Sequence, residues 1–530
     1  MTGSNSDTET DVVIVGNGPV GATLSVLLAQ RGWRVTVLER RPRPYKLPRA
    51  TSFDGETARL LAATGIGARL DGITEPAGGY QWQTAAGEAL LDITFTTTGP
   101  YGWPDANTMH QPALEELLAA RVAALPGITV LRGHEVTGIA DGDERVTVTA
   151  TTEDDTTRAV TARWVVGCDG ANSFVRHHLD VSVTDLGFSY EWLLCDVRLD
   201  EPREFVPTNV QICDPARPTT VVASGPGRRR WEFMRLPGES TAELNRDETA
   251  WRLLAPFGVT PDNATLLRST TYIFQARWAD QWRVGHVLLA GDAAHLMPPF
   301  AGQGMCSGIR DVVNLAWKLD LTLRGVAAES LLDSYTEERR AQAKDAILSS
   351  VQLGRVICVT DPVAAAERNA TVLANRRGKP PTRPDPAKPL SVGLSRRDAD
   401  RAAGAVVPQG RVRRTDHSGL FDDVVGRGFV LLCTGDPHTA LDADRLSFLA
   451  DLGTHVVRLL PSGSTPDTDS AVDGVVDLDD VYLPYLARFG ATALLVRPDY
   501  HVFGAASGPG GVAELVDDLR DRLLVPAPAG

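Results

Sequence analysis

Three short stretches carry residue types and spacings that suit ligand chemistry. The first is Gly16-Asn-Gly18-Pro-Val-Gly21, with the spacing G-x-G-x-x-G. Gly16 permits a tight turn, Gly18 lets a phosphate reach the backbone, and Gly21 lets helix and sheet close on each other. Glu39 lies 23 residues after Gly16, where a carboxylate can accept ribose hydroxyls. This pattern predicts dinucleotide binding; a glycine-rich turn without a ligand is the alternative. The second stretch is Cys168-Asp169-Gly170-Ala-Asn-Ser173-x-x-Arg176. The third is Gly291-Asp292-Ala-Ala-His295-x-x-Pro298-Pro299-x-x-Gly302-Gln-Gly304-Met305. Asp292 at a strand end suits a sugar-alcohol chain, and Pro298 and Pro299 stiffen the approach to the next helix. Gly302, Gly304 and Met305 offer backbone N–H groups at a helix start. Such a positive end suits the N1/C2=O locus of a flavin, which becomes anionic on reduction.

Each stretch needs a strand before it and a helix after it. Asp11-Val-Val-Ile-Val15 is an apolar run of the kind that forms a buried parallel strand, and Ala22 to Gln30 has helical spacing. A second strand, Arg34 to Leu38, runs into Glu39. Val165-Val166 and Val284 to Ala290 supply the strands before the second and third motifs. Gln111 to Ala124 predicts an amphipathic helix with Leu114, Leu117, Leu118 and Val122 on one face. The segments 72–108 and 185–285 read as aromatic-rich strands. A long helical region is expected from about Gly304 to Leu353, then a proline-rich linker over 376–399 and a small α/β domain over 400–530. The FAD-type domain is expected to be discontinuous, over 1–71, 109–184 and 286–375, with a β-sheet substrate layer from 72–108 and 185–285.

Composition bounds the function. The chain has 530 residues, 43% hydrophobic and 23% charged, with a net charge of −14. That balance opposes nucleic-acid binding. The basic run Arg40, Arg41, Arg43, Lys46 and Arg49 still allows a locally positive mouth for phosphates. Six scattered cysteines form no CxxC or metal-ligand pair, so no metal is expected. The polar leader lacks an h-region, and no apolar run approaches ~18 residues, so a cytoplasmic protein without a membrane span is expected.

Together the motifs resemble the group A flavoprotein monooxygenases, the para-hydroxybenzoate hydroxylase family, over about residues 10–350. The stretch Gly302 to Leu319, with Asp311, Asn314 and Lys318, is similar to the branch of 3-(3-hydroxyphenyl)propionate hydroxylases. Gly102-Trp-Pro and His110-Gln111-Pro-x-Leu-Glu115 point the same way. The tail, notably Leu495-Val-Arg-Pro-Asp499, resembles a thioredoxin-like C-terminal domain, here without CxxC.

The resemblance implies an α/β fold: a Rossmann-type, glutathione-reductase-like FAD domain with an inserted β-sheet substrate domain and a thioredoxin-like tail. It implies FAD as cofactor, NADPH or NADH as co-substrate, and O2. Gly16, Gly18 and Gly21 would hold the pyrophosphate, and Glu39 the adenosine ribose, with Arg40 beside it. Arg49 would lie near the FAD phosphates and the nicotinamide cofactor, and Gln111 on the flavin side. Asp169 is implied in FAD and NAD(P)H binding, and Asp292 in ribityl or pyrophosphate binding. Pro298, Gly302, Gly304 and Met305 would line the isoalloxazine. Oxygen transfer from a flavin C4a-hydroperoxide to a phenolic or polyketide aromatic is the implied reaction.

The residues leave other outcomes open: epoxidation or Baeyer–Villiger oxygenation, a flavin dehydrogenase without oxygen insertion, and a non-enzymatic FAD-binding protein. No general base stands out among Tyr190, Tyr272, His110 and His295. Arg228-Arg-Arg230 reads as a solvated hairpin tip, with attraction of a carboxylate substrate as the alternative. The tail is expected to be structural, with a share in a homodimer interface.

Overall fold

The computed structural model describes residues 8–383, 388–396, 401–415, 417–465 and 473–524. Most of the leader and parts of the expected linker lie outside the described residues. The chain forms two compact units. One comprises Met1–Thr97, Pro104–Ile309 and Ala343–Asp385; the other comprises Thr98–Trp103, Arg310–Gln342 and Pro386–Gly530.

In the first unit, a six-stranded sheet runs in the order Arg283–Val284, Val287–Leu289, Trp164–Gly167, Val12–Val15, Val35–Glu39, Ile128–Arg132. Its inner pairs are all parallel. The strands before the three motifs are therefore neighbours that point the same way. They are fully buried, apolar runs, as parallel strands covered on both faces must be. The helix after the first strand begins at Pro19, earlier than its apolar spacing suggested, because proline is well placed at N1. The helix Gln111–Ala123 buries Leu114, Leu117, Leu118 and Val122, the expected face.

An eight-stranded sheet in the same unit runs His295–Leu296, Ala264–Ala279, Val183–Leu199, Arg228–Met234, Thr219–Ala223, Asn209–Ile212, Gly79–Gln83, Ala89–Thr94. Side-chain alternation divides it into two faces. Leu193, Cys195, Val197, Trp231 and Phe233 pack with Ala250 and Leu254 on one face. Trp192, Leu194, Met234 and Phe274 occupy the other, with Phe300, Ile347 and Val351.

The long helical region is not continuous. It breaks between Gly304–Leu323 and Leu331–Ile357, with Gly325 at φ +70°, and a further helix, Pro362–Arg376, precedes the proline-rich segment. Among the described residues no single helix is long and apolar enough to cross a membrane.

The second unit holds a seven-stranded sheet. At its centre Val430–Cys433 pairs parallel with His455–Leu460 and antiparallel with Ala493–Val496, which forms a hairpin with Val502–Ala506 before the helix Gly508–Leu524. This is a thioredoxin-like arrangement. Cys433 is buried on the central strand, and burial pushes its thiol up to about 12. Trp317, Leu321 and Leu331 join the core of this unit.

Four of the buried charges in that unit, Lys318, Glu338, Arg497 and Asp499, form one group. Glu338 accepts from Lys318 Nζ (2.7 Å), Arg497 NH1 (2.8 Å) and NH2 (2.7 Å), Asn314 Nδ2 (2.7 Å) and the Leu394 N–H (2.7 Å). Arg497 also pairs with Asp499 at 2.6 Å. The sequence stretches containing Asn314 and Lys318 and Leu495 to Asp499 thus meet at one carboxylate.

Candidate active site

The site is built on the carboxyl ends of adjacent parallel strands, where ligands of open α/β sheets bind. Ladder hydrogen bonds continue into the loops: Gly16 N–H to Leu38 C=O (2.7 Å), Cys168 N–H to Val15 C=O (2.8 Å), and Ala290 N–H to Gly167 C=O (2.9 Å). These bonds bring the three motifs to one edge of the sheet.

The glycine loop has the shape expected of a phosphate cradle. Gly16 lies at φ +99°, and a Cβ there would stand 2.5 Å from the Cys168 carbonyl oxygen. A Cβ on Gly21 would stand 2.1 Å from the Gly16 carbonyl oxygen, whereas one on Gly18 would meet nothing within 4 Å. Two glycines are required by the protein's own packing, and the third faces open space. The helix Pro19–Ala29 has no side-chain cap and no acidic residue in its first turn, so its positive end is uncompensated. These residues fit an FAD pyrophosphate.

Glu39 closes the loop from the side. Its carboxylate accepts the Asn17 N–H and the Arg41 N–H, each at 2.8 Å. A carboxylate has roughly four acceptor positions, so capacity for ribose hydroxyls is left. Arg40 is exposed beside it. Arg41 and Arg49 stand over the Tyr45 ring, at 4.3 and 5.5 Å from its centroid. Gln111 is buried, and its Oε1 accepts the N–H groups of Arg49 (2.9 Å) and Ala50 (2.6 Å). The amide therefore fixes the backbone that carries Arg49.

Asp169 is turned into its own motif. It accepts the Ser173 hydroxyl at 2.5 Å and the Val175 N–H at 3.1 Å, and burial pushes its carboxyl above the usual range. Arg176 ties this motif to the third by donating to the Ala293 and Ala171 carbonyls, both at 2.9 Å. Val20 ties the first motif to the third: a Cβ on Gly291 or Gly308 would approach its side chain to 3.2 or 2.7 Å. Asp292 stands on the short 3-10 turn Gly291–Ala293. Pro298 is buried, Gly302 is left-handed at φ +64°, and Gly304 and Met305 open the next helix, which has no acidic residue in its first turn. Gln303 donates to Asp54 at 3.1 Å, joining this loop to residue 54.

Arg228-Arg-Arg230 is not a hairpin tip. Residues 228–234 form an inner strand paired on both sides, and Arg229 and Arg230 are buried. Arg230 binds Asp196 at 2.7 and 3.2 Å and donates to the carbonyls of Pro48 (2.9 Å) and Arg49. Arg268 donates to the same Asp196 at 2.8 Å. This group holds the 48–50 loop against the aromatic sheet, and sequence reading missed it. The available signal was Asp196 in the run Leu193-Leu-Cys-Asp196-Val: a carboxylate within a buried strand requires a cation opposite.

The four candidate bases differ in surroundings. His295 is buried and stacked on Trp282, with centroids 5.3 Å apart. At His110, burial and then Arg228 push the imidazole below its usual value. Tyr190 packs on Phe188 at 4.9 Å. Tyr272 is 46% exposed and pairs across the sheet with Trp192. Burial and then Asp292 push its hydroxyl above the usual value, opposed by Arg49 and Arg277. Beside it Phe274 stacks on Trp192 (5.6 Å), and both contact Phe300 of the third motif at 5.6 and 5.7 Å. An aromatic wall thus adjoins the loop expected to meet the flavin.

Residues 9–350 match the FAD binding domain family, and residues 404–522 match the HcaD C-terminal domain. A probable NADH-specific resorcinol 4-hydroxylase of Rhodococcus jostii (strain RHA1) is 38% identical, covering 98% of this chain and 96% of that protein. A 3-(3-hydroxy-phenyl)propionate/3-hydroxycinnamic acid hydroxylase of Comamonas testosteroni is 33% identical, covering 95% of each. The crystal structure of the flavin-dependent monooxygenase PieE, in complex with FAD and substrate, shares the fold with a TM-score of 0.80. Its sequence is 22% identical, and the match covers 98% of this chain and 99% of that one.

Proposed function

The chain belongs to the FAD binding domain family, and on that footing we propose an FAD-dependent hydroxylase that uses NAD(P)H and O2 on a phenolic substrate. The observation that carries the reading is the convergence of three ligand-binding loops at one sheet edge, with an aromatic wall beside the third.

Bound FAD would supply the redox chemistry, passing electrons from NAD(P)H to O2. The chain's own residues bind, orient and exclude water. Gly16, Gly18 and Gly21 cradle the pyrophosphate, and Glu39 takes the adenosine ribose. Asp292 takes the ribityl or pyrophosphate part, while Pro298, Gly302, Gly304 and Met305 line the isoalloxazine. Gln111 acts through the backbone of Arg49 and Ala50. Arg40 and Arg49 offer exposed guanidinium groups to the phosphates of NAD(P)H. Asp169 shapes the second motif by accepting from Ser173 and Val175, and its remaining acceptor positions serve FAD and NAD(P)H. The division into an FAD part, a substrate sheet and a thioredoxin-like tail, the cytoplasmic location and a homodimer are parts of the same proposal.

The decisive experiment measures NAD(P)H oxidation with a panel of phenols under 18O2. One 18O atom in the product is expected; stimulated NAD(P)H oxidation without incorporation would exclude hydroxylation.

We assign Tyr272 to the phenolic oxygen, because strand pairing sets it opposite Trp192 and beside Phe274, with ring centroids 6.1 Å apart, on the aromatic face. Tyr272→Phe is expected to lower kcat on the order of 100-fold with FAD content unchanged. An unchanged kcat removes Tyr272 from that role.

A further inference from the structure

One carboxyl group on the aromatic face has no use in the scheme above. Glu232 lies on the strand Arg228–Met234 between Arg230, which holds the 48–50 loop, and Met234, which packs with Trp192 and Phe300. It stands opposite Leu194 on one side and Thr220 on the other. Its side chain is 10% exposed, and its nearest charged partner is Arg230 NH1 at 3.8 Å, beyond hydrogen-bond distance. Among the described residues its carboxylate makes no hydrogen bond. The neighbouring guanidinium groups make their close contacts with Asp196, at 2.7 Å from Arg230 and 2.8 Å from Arg268, and Arg230 reaches Glu232 only at the longer distance. One strand over and diagonal to Glu232, Trp192 is buried with an indole N–H that has no acceptor.

A buried carboxyl without a hydrogen bond is costly unless a ligand completes it. A hydroxyl is the group that fits, because it donates to a carboxylate and accepts from an N–H. A substrate carboxylate fits poorly, because it brings a like charge beside Glu232 and Asp196.

We propose that Glu232 anchors a second ring hydroxyl, selecting uncharged dihydroxy aromatics over simple phenols and over aromatic carboxylates. This rests on the hydroxylase reading for the nature of the ligand, and assigns a specificity residue to the same site.

The test is equilibrium binding to the FAD-loaded enzyme, followed by perturbation of the flavin absorbance, with resorcinol, phenol and 3-hydroxybenzoate as probes. Wild type is expected to bind resorcinol at least about tenfold more tightly than either of the others. Glu232→Leu should bring resorcinol to the affinity of phenol. Glu232→Gln should keep the resorcinol preference and improve 3-hydroxybenzoate binding by about tenfold, since the like charge is gone. The anchor is overturned if wild type binds phenol as tightly as resorcinol, or if Glu232→Leu keeps the preference. If Glu232→Leu does not fold, unchanged 3-hydroxybenzoate binding by Glu232→Gln overturns it. Binding needs no turnover. Expected affinities without 18O incorporation would refute the hydroxylase reading alone, and incorporation without a Glu232 effect would refute the anchor alone.

Discussion

Gly18→Val is expected to give a folded, colourless protein. The Cβ position at Gly18 is free of protein atoms within 4 Å, so the substitution does not disturb the loop's own packing. The added side chain instead fills the space through which a phosphate reaches the helix N-terminus. FAD affinity should fall at least about 100-fold, roughly 2.7 kcal/mol. The melting temperature of the FAD-stripped protein should stay within about 2 °C of the stripped wild type. Gly21→Ala provides the contrast. Its Cβ would stand 2.1 Å from the Gly16 carbonyl oxygen, so this variant should lose stability as well as flavin. The ratio of flavin to protein absorbance after purification reads both; Gly18→Val protein with full FAD content would overturn the cradle assignment.

Arg497→Leu is expected to destabilise the second unit strongly. It removes two of the five donors to Glu338 and the guanidinium partner of Asp499, leaving two buried carboxylates with Lys318 on Glu338 and with Asn314 and His501 beside Asp499. Breaking a buried ion pair from one side costs about 3–5 kcal/mol. The expected fall in melting temperature is on the order of 10 °C. The pH dependence has a definite sign. Despite burial, Arg497 and then Lys318 hold the Glu338 carboxyl at about 2, below its ordinary 4.5. Between these values the folded state binds fewer protons than the unfolded chain. The Glu338 contribution is therefore complete above about pH 4.5 and is lost as the pH falls toward 2. Without Arg497 the Glu338 carboxyl rises, and acid unfolding should move to higher pH. An acid titration followed by circular dichroism compares the two proteins; coincident transitions would exclude the network as a source of stability.

What could be read from the sequence divides along physical lines. The three motifs and their strands were legible because their signals are local: apolar runs for buried strands, glycines at turns, spacing for helix starts. The helix break at 324–330 was less visible, since Gly325 is its one strong breaker within a continuing helical pattern. The charged groups were hidden by distance along the chain. Arg230 and Asp196 are 34 residues apart, and Arg497 and Glu338 are 159 apart. Arg228-Arg-Arg230 looked solvated because three cations in a row usually are. Pairing of the strand on both sides reverses that outcome. The four candidate bases could not be ranked from sequence, because the pairing that sets Tyr272 opposite Trp192 joins strands 80 positions apart.

The inclusion of residues 310–342 in the second unit bears on how this protein can be taken apart. The FAD binding domain match ends at residue 350 and the C-terminal match starts at 404, which invites a cut in the proline-rich segment between them. Such a cut would separate Asn314, Lys318 and Glu338 from Arg497 and Asp499, and Trp317 and Leu321 from the core they share. The tail is therefore not a portable cassette. A chimera that borrows a tail from a relative must bring the facing surfaces of both long helices with it. Substitutions at Lys318, Glu338 and Arg497 should be inherited together or not at all.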